Sequence, residues 1–122
     1  MNLTVTLIAL AVVVLIFAIL KRVGQISAAS TQSYLKNGAL VIDVRSPGEF
    51  ASGHLPSAIN VPLPEIETAL PRRFKDKNQV LLLHCQSGMR SGVASKKLKH
   101  LGYVNSFNLG SYGRAVKLTN SK

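Results

Sequence analysis

Apolar residues are distributed along the chain in two unlike ways. From Leu3 to Leu20 no residue is charged, and only Thr4 and Thr6 are polar, so no face of a helix is left for water. Such a helix of 18 residues spans about 27 Å, close to the roughly 30 Å hydrocarbon core of a bilayer. A helix on a soluble domain keeps a polar face, which this one lacks. Beyond it, short apolar runs alternate with segments of helical spacing. Val23 to Ser27 reads as a linker or a short first strand. Ser27 caps a helix through about Lys36, with Ala28, Thr31, Tyr34 and Leu35 on a partly apolar face and Asn37-Gly38 as its end. Ala39-Leu40-Val41-Ile42 has the continuous apolar character of a strand buried on both faces. Ser46-Pro47 opens a helical turn carrying Glu49 and Phe50, which Gly53-His54 breaks.

The second half repeats the alternation. Ala58 to Val61 predicts a brief strand closed by Pro62 and Pro64, followed by a short helix around Glu65 to Leu70 and a basic loop through Asn78. Gln79 to His84 predicts a strand. Met89 to His100 predicts a helix with Val93, Ala94, Leu98 and Leu101 towards the core and Gly102 as its stop, and Val104 to Leu109 predicts a last strand. Strands alternating with helices imply an α/β fold, an open parallel sheet with helices on both faces, preceded by one N-terminal transmembrane helix. The expected division is an anchor with a basic flank over 1–22 and a folded domain over 23–122. Ligands in such sheets bind at the carboxyl ends of strands, which would bring Asp43, Arg45 and Cys85 to one edge.

A cleavable signal peptide competes with a retained anchor for the first segment. The apolar stretch is longer than a usual signal core, and no Lys or Arg precedes it. Ser27-Ala28-Ala29 resembles a cleavage site, but Lys21-Arg22 intervenes. Retention is therefore expected. Lys21-Arg22 on the C-terminal flank places the rest of the chain in the cytoplasm by the positive-inside tendency.

Composition narrows the partners. The 122 residues allow one domain, and 15 Lys and Arg against 5 Asp and Glu give a net charge of +10. Such an excess suits nucleic acid, an anionic membrane or small anionic substrates. The basic residues are scattered and carry no interleaved aromatic platform, which argues against nucleic acid. A single cysteine excludes an internal disulfide and, with no His–Cys spacing around it, a zinc site; no metal or cofactor is expected.

That cysteine, Cys85, ends an apolar strand and opens a turn containing Gly88 that leads into a helix, with Arg90 five residues on. A lone cysteine is most often a small buried hydrophobe. Strand–turn–helix context points the other way, because N–H groups of such a turn converge on the sulfur and favour its thiolate, as does Arg90.

Two motifs carry a family resemblance. Asp43-Val44-Arg45, then Glu49-Phe50, then Gly53-His54-Leu55-Pro56-Ser57-Ala58-Ile59-Asn60-Val61-Pro62 form one; Cys85-Gln86-Ser87-Gly88-Met89-Arg90-Ser91 forms the other. Together, over about residues 24 to 110, the chain resembles the rhodanese family, in particular short bacterial rhodaneses tethered by an N-terminal helix. The resemblance implies a single-pass protein of the bacterial inner membrane with sulfurtransferase activity. It implies that Cys85 takes sulfane sulfur from thiosulfate or a similar anionic donor and holds it as a persulfide. A thiol, cyanide or a sulfur-handling protein then removes the sulfur. Backbone amides of Gln86, Ser87, Gly88, Met89, Arg90 and Ser91 would hold the persulfide, Arg90 would orient the donor, and Asp43 and Arg45 would support loop and cleft.

Other classes remain to be set against this one. His84-Cys85 … Arg90-Ser91 is similar to the loop of cysteine phosphatases and arsenate reductases, but only four residues separate Cys85 from Arg90 where a phosphate cradle has five. A shorter ring of N–H groups suits a sulfur atom. His84 should be structural, because its side chain alternates with that of Cys85. Family members commonly end in two glycines and a tryptophan on a final helix; Gly110-Ser111-Tyr112-Gly113-Arg114 replaces these, and a short or frayed last helix is expected. A shortened end would suit a persulfide carrier with little turnover. The enzyme reading demands that the loop amides face the sulfur and that the sulfur be open to solvent.

Overall fold

Strand side chains alternate between two apolar clusters, and that alternation builds the domain. The computed structural model describes residues 2–22 and 24–120. Four parallel strands, β1 (Leu40–Asp43), β2 (Ile59–Asn60), β3 (Leu81–His84) and β4 (Ser106–Gly110), lie in the order β2-β1-β3-β4. Ile42, Leu81 and Leu83 pack with Ile66, Leu70, Ala94 and Leu98 on one face. Val41, Leu82 and Leu109 pack with Ile26, Leu55 and Ala115 on the other. Consecutive leucines 81 to 83 are fully buried because each face of the sheet is covered.

The helices are set by local chemistry as well as by these faces. After the apolar α1 (Leu3–Arg22), α2 (Ala28–Lys36) begins where the Ser27 side chain accepts from Ser30 N–H. α3 (Pro47–Ser52) starts in a capping box: Ser46 accepts from Glu49 N–H, and Glu49 accepts from Ser46 N–H. α4 (Ile66–Arg73) follows a 3₁₀ turn at Leu63–Glu65 and runs beyond the expected Leu70, carrying Pro71 inside it. The burial of Ile66 and Leu70 beneath it outweighs the backbone hydrogen bond that proline removes. α5 (Met89–His100) covers the predicted span.

Two expectations are corrected. Val93 is 47% exposed rather than core-facing, because Ala94 and Leu98 already fill the strip of α5 that meets the sheet. The last helix, α6 (Tyr112–Asn120), is formed over nine residues, with Ala115 buried. Hydrogen bonds from Arg114 to the Leu109 carbonyl and from Gln32 to the Leu118 carbonyl tie it down. Of the linker and the short first strand offered for the stretch before α2, the described residues form the linker, with one parallel bridge, Gln25 to Asn108, and Ile26 N–H donating to the Asn108 carbonyl at 3.0 Å. The expected boundary between anchor and domain falls on Val23, which lies outside the described residues, as do the side chains of Lys21 and Arg22 and the chain end at 121–122.

Truncating Leu83, fully buried on the central strand, removes apolar contact from both α4 and α5. Leu83→Ala in a fragment beginning at Gly24 is expected to lose about 2–5 kcal/mol of unfolding free energy, read from the urea midpoint at constant slope.

Candidate active site

The chain passes from β1 outward to β2, then back across β1 to β3, so the strand order reverses between β1 and β3. The crevice at such a reversal opens at the carboxyl ends of the strands. Cys85 follows β3 there, and Asp43-Val44-Arg45 closes β1 beside it, with Val44 N–H donating to the His84 carbonyl at 3.0 Å.

Residues 85 to 91 fold tightly around the cysteine sulfur. Gly88 N–H donates to Sγ at 3.0 Å, and the Ser91 hydroxyl lies 3.5 Å from it. Burial pushes the Cys85 thiol up. Hydrogen bonds from the Ser91 hydroxyl and from the N–H groups of Ser91, Gly88 and Ser87 more than offset that, and the thiol ionises below its ordinary value. The inward-turned amides therefore include those of Ser87, Gly88 and Ser91. Gln86, Ser87 and Met89 are themselves exposed.

The second demand of the sequence reading is not met. Cys85 is 0% exposed and belongs to the apolar cluster that includes Val44 and Ala94. The sulfur forms the floor of the loop rather than its rim, so any reagent reaches it only when the loop side chains shift.

Loop shape depends on Gly88, already singled out in the sequence, and on Asn108, which sequence reasoning passed over. Gly88 adopts φ +94°, and a Cβ there would sit 3.3 Å from the Gly110 backbone, so the loop packs directly on the end of β4. Asn108, buried on β4, accepts from Gly110 N–H at 3.0 Å and from the Ser91 hydroxyl at 2.7 Å, while its amide nitrogen donates to the Gly88 carbonyl at 3.0 Å. One side chain thus holds the middle and the end of the loop against β4. Its signal in the sequence was a carboxamide between the apolar Phe107 and Leu109.

Glu49, read in the sequence only as part of the first motif, is the partner of Arg90. Arg90 Nη1 and Nη2 donate to its two carboxylate oxygens at 2.7 and 3.0 Å, a fork matched to a carboxylate. Glu49 is held at about 2 by the Arg90 side chain first and by Ser46 N–H second. A carboxyl depressed in this way favours the folded state above its unfolded value, and that contribution fades only as pH falls through about 2. The clasp is therefore intact at neutral pH. Arg90 also lines a cavity of about 340 Å³ walled by Val44, Pro47, Pro62 and Leu63, which Cys85 does not reach.

Asp43 and Arg45 pair with each other rather than with the loop. Arg45 donates to Asp43 through Nε at 3.0 Å and Nη2 at 2.8 Å, and Nη2 also reaches the Gly53 carbonyl at 2.7 Å. The Arg45 guanidinium stacks over Tyr112, at the start of α6, at 4.6 Å. His84 is fully buried, with Nδ1 3.3 Å from the Cys85 carbonyl and Nε2 3.8 Å from Asp43; burial drives its imidazole down, hence neutral. Among the described residues, no group of three His, Cys, Asp or Glu is placed to hold a metal.

Known proteins resemble this chain in sequence and fold. The family described as Rhodanese-like domain matches residues 27–113. The thiosulfate sulfurtransferase PspE of Escherichia coli is 36% identical over 69 residues, covering 57% of this chain and 66% of that protein. The human thiosulfate:glutathione sulfurtransferase is 35% identical over 101 residues, covering 71% of this chain and 88% of its own. The structure of human single-domain sulfurtransferase TSTD1 superposes with a TM-score of 0.66 at 31% identity, covering 77% of this chain and 96% of that one.

Removing the Asn108 carboxamide frees Ser91 and Gly88 together. In the fragment beginning at Gly24, ultraviolet thiolate absorbance is expected to titrate below the roughly 8.5 of a free cysteine. In Asn108→Ala the inflection should move upward. The same variant is expected to lose about 1–3 kcal/mol of stability for its unpaired partners.

Proposed function

The chain belongs to the rhodanese-like family, and from that premise we propose that it is a membrane-anchored sulfurtransferase working through a Cys85 persulfide. The observation that carries the reading is the turn of main-chain amides and the Ser91 hydroxyl aimed at Sγ, which outweighs burial and favours an anionic sulfur. In the first half-reaction the Cys85 thiolate attacks the outer sulfur of thiosulfate. The new Cys–S–S bond takes that sulfur, the S–SO₃ bond breaks, and sulfite leaves with its electron pair. In the second, cyanide or a thiolate attacks the outer persulfide sulfur and regenerates the Cys85 thiolate, leaving thiocyanate or a new persulfide. The negative charge stays on sulfur throughout, next to the same amides. No proton need be moved by His84, which is neutral.

Arg90 orients the donor in this reading, and its present partner sets a cost. A dianionic donor must displace Glu49 from the guanidinium fork. Both side chains are more than a third exposed, so water and salt screen the pair, a hindrance that substrate charge overcomes. A phosphatase reading has less support, since the four-residue gap between Cys85 and Arg90 leaves a smaller cradle.

The anchor is α1. Its Leu3–Leu20 window has a mean hydropathy of 3.1 and is entirely exposed in the folded chain, as a helix meant for lipid would be. With Lys21-Arg22 at its end, the catalytic domain faces the cytoplasm of a bacterial inner membrane. One observation favours a second reading, a persulfide carrier that a partner protein opens: Cys85 is 0% exposed and Arg90 is already engaged.

Treatment with thiosulfate is expected to add about 32 Da, one sulfur atom, to the native chain and nothing to Cys85→Ser. Steady-state thiocyanate formation should be lost in that variant while its circular dichroism is kept. Turnover equal to the native protein refutes the assignment, and an adduct without turnover selects the carrier. Glu49→Gln keeps the cap on α3 but releases Arg90. Its KM for thiosulfate should fall by up to about fivefold, the modest change expected on losing a solvent-screened ion pair, with kcat little changed.

A further inference from the structure

The chain enters the domain beside the active loop. Gln25, three residues after the last residue of α1, bridges to Asn108, and its side chain lies against the positions where Gly88 and Gly110 would carry a Cβ, at 3.2 Å from each. Three residues of extended chain reach about 11 Å at most. If α1 is an anchor, as proposed above, the loop edge of the sheet is therefore held within a headgroup's depth of the bilayer, and the opposite edge is held away from it.

The surface at that edge matches such a neighbour. Phe17 and Leu20 of α1 share a cavity of about 520 Å³ with Met89, Val93, Lys96 and Lys99 of α5. Met89 is 71% exposed and Val93 47%, one turn apart on the outer strip of α5. Lys96 and Lys99 continue that strip, and no acidic residue lines the cavity. Lys97, which is paired with Glu67 at 3.1 Å, points elsewhere. An apolar tip followed by basic charge with no carboxylate beside it is the pattern by which a helix lies in a lipid interface, apolar side chains below the phosphates and lysines among them.

We propose that the outer face of α5, from Met89 through Lys99, rests on the anionic phospholipid surface, so that the loop edge of the sheet opens along the membrane. The occupant is the bilayer that holds α1, argued from the short connection, the shared cavity and the sign of the charge. Donors and acceptors then meet Cys85 at the membrane surface, where a membrane-bound acceptor competes best.

The full chain carrying Cys85→Ser tests this, with one new cysteine at Val93→Cys or at Asn78→Cys, each labelled with a fluorophore. Asn78 precedes β3 at the far edge, about 20 Å from the loop by strand rise. Each protein is reconstituted in phosphatidylcholine–phosphatidylglycerol vesicles containing a headgroup spin-labelled lipid. Quenching at position 93 is expected to exceed that at position 78 at least threefold. It should fall towards the position-78 value when Lys96→Glu and Lys99→Glu are added or phosphatidylglycerol is omitted. Equal quenching at the two positions in a chain that resists alkaline carbonate extraction overturns the docked face and leaves the anchor standing. Extraction by carbonate overturns the anchor, and the docked face with it. Shielding of position 93 from aqueous quencher without lipid quenching assigns the strip to a protein contact and also overturns the proposal.

Discussion

Everything at the site depends on how β4 holds the loop that follows β3. Asn108 bridges the Gly88 carbonyl, the Ser91 hydroxyl and the Gly110 N–H from a buried position on the sheet. A buried carboxamide is costly unless its donors and acceptors are met, and here two bonds fix different points of the loop while the third fixes the end of β4. The adjacent glycines remove the side chains that would hold the two segments apart, since a Cβ on Gly88 would press on the Gly110 backbone. Close approach and hydrogen bonding act together: the first brings the loop onto the strand, the second gives it a single shape. Only in that shape do the N–H groups of Ser87, Gly88 and Ser91 converge on one sulfur.

That geometry sets burial against ionisation at the same atom. Enclosing a thiol disfavours its charged form, yet the donors around Sγ reverse the balance. The result is a thiolate that is easier to form and harder to reach than that of a free cysteine. A reactive sulfur left open at a strand end would meet every oxidant in solution. One kept on the floor of a tight loop reacts with what can displace the loop side chains. The Glu49–Arg90 clasp restricts access in the same way, because it satisfies the guanidinium until a better anion arrives. The ion pair of Asp43 and Arg45 acts differently. Closed on itself, against the Gly53 carbonyl and the Tyr112 ring, it fixes the end of β1 beside the loop without touching it.

The excess of positive charge takes on shape once the chain is folded. Along the sequence the lysines of 96 to 99 read as one solvated run. In the structure they divide, with Lys97 turned to Glu67 and Lys96 and Lys99 turned to the side where α1 joins the domain. A tether of three residues makes that division consequential, because it decides which edge of the sheet lies near the apolar helix.

Periodicity and end signals along the chain determined the elements and their order. A strand covered on both faces must be apolar throughout, as Leu81-Leu82-Leu83 is, and serine caps at 27 and 46 mark helix starts by a hydrogen bond made within four residues. The choice of Cys85 as the centre was also local, since strand, turn and glycine adjoin it. What sequence left open was every pairing across distance. Glu49 meets Arg90 over 41 positions, and Asn108 meets Ser91 over 17. Pattern signals carry no information about such partners, because the sheet order and register, not the spacing in the chain, decide which side chains face each other. The exposure of the sulfur was decided there too. A residue just past a strand end is at the edge of the sheet by sequence, but whether it ends at the rim or on the floor depends on how closely the next strand's glycine allows the loop to descend.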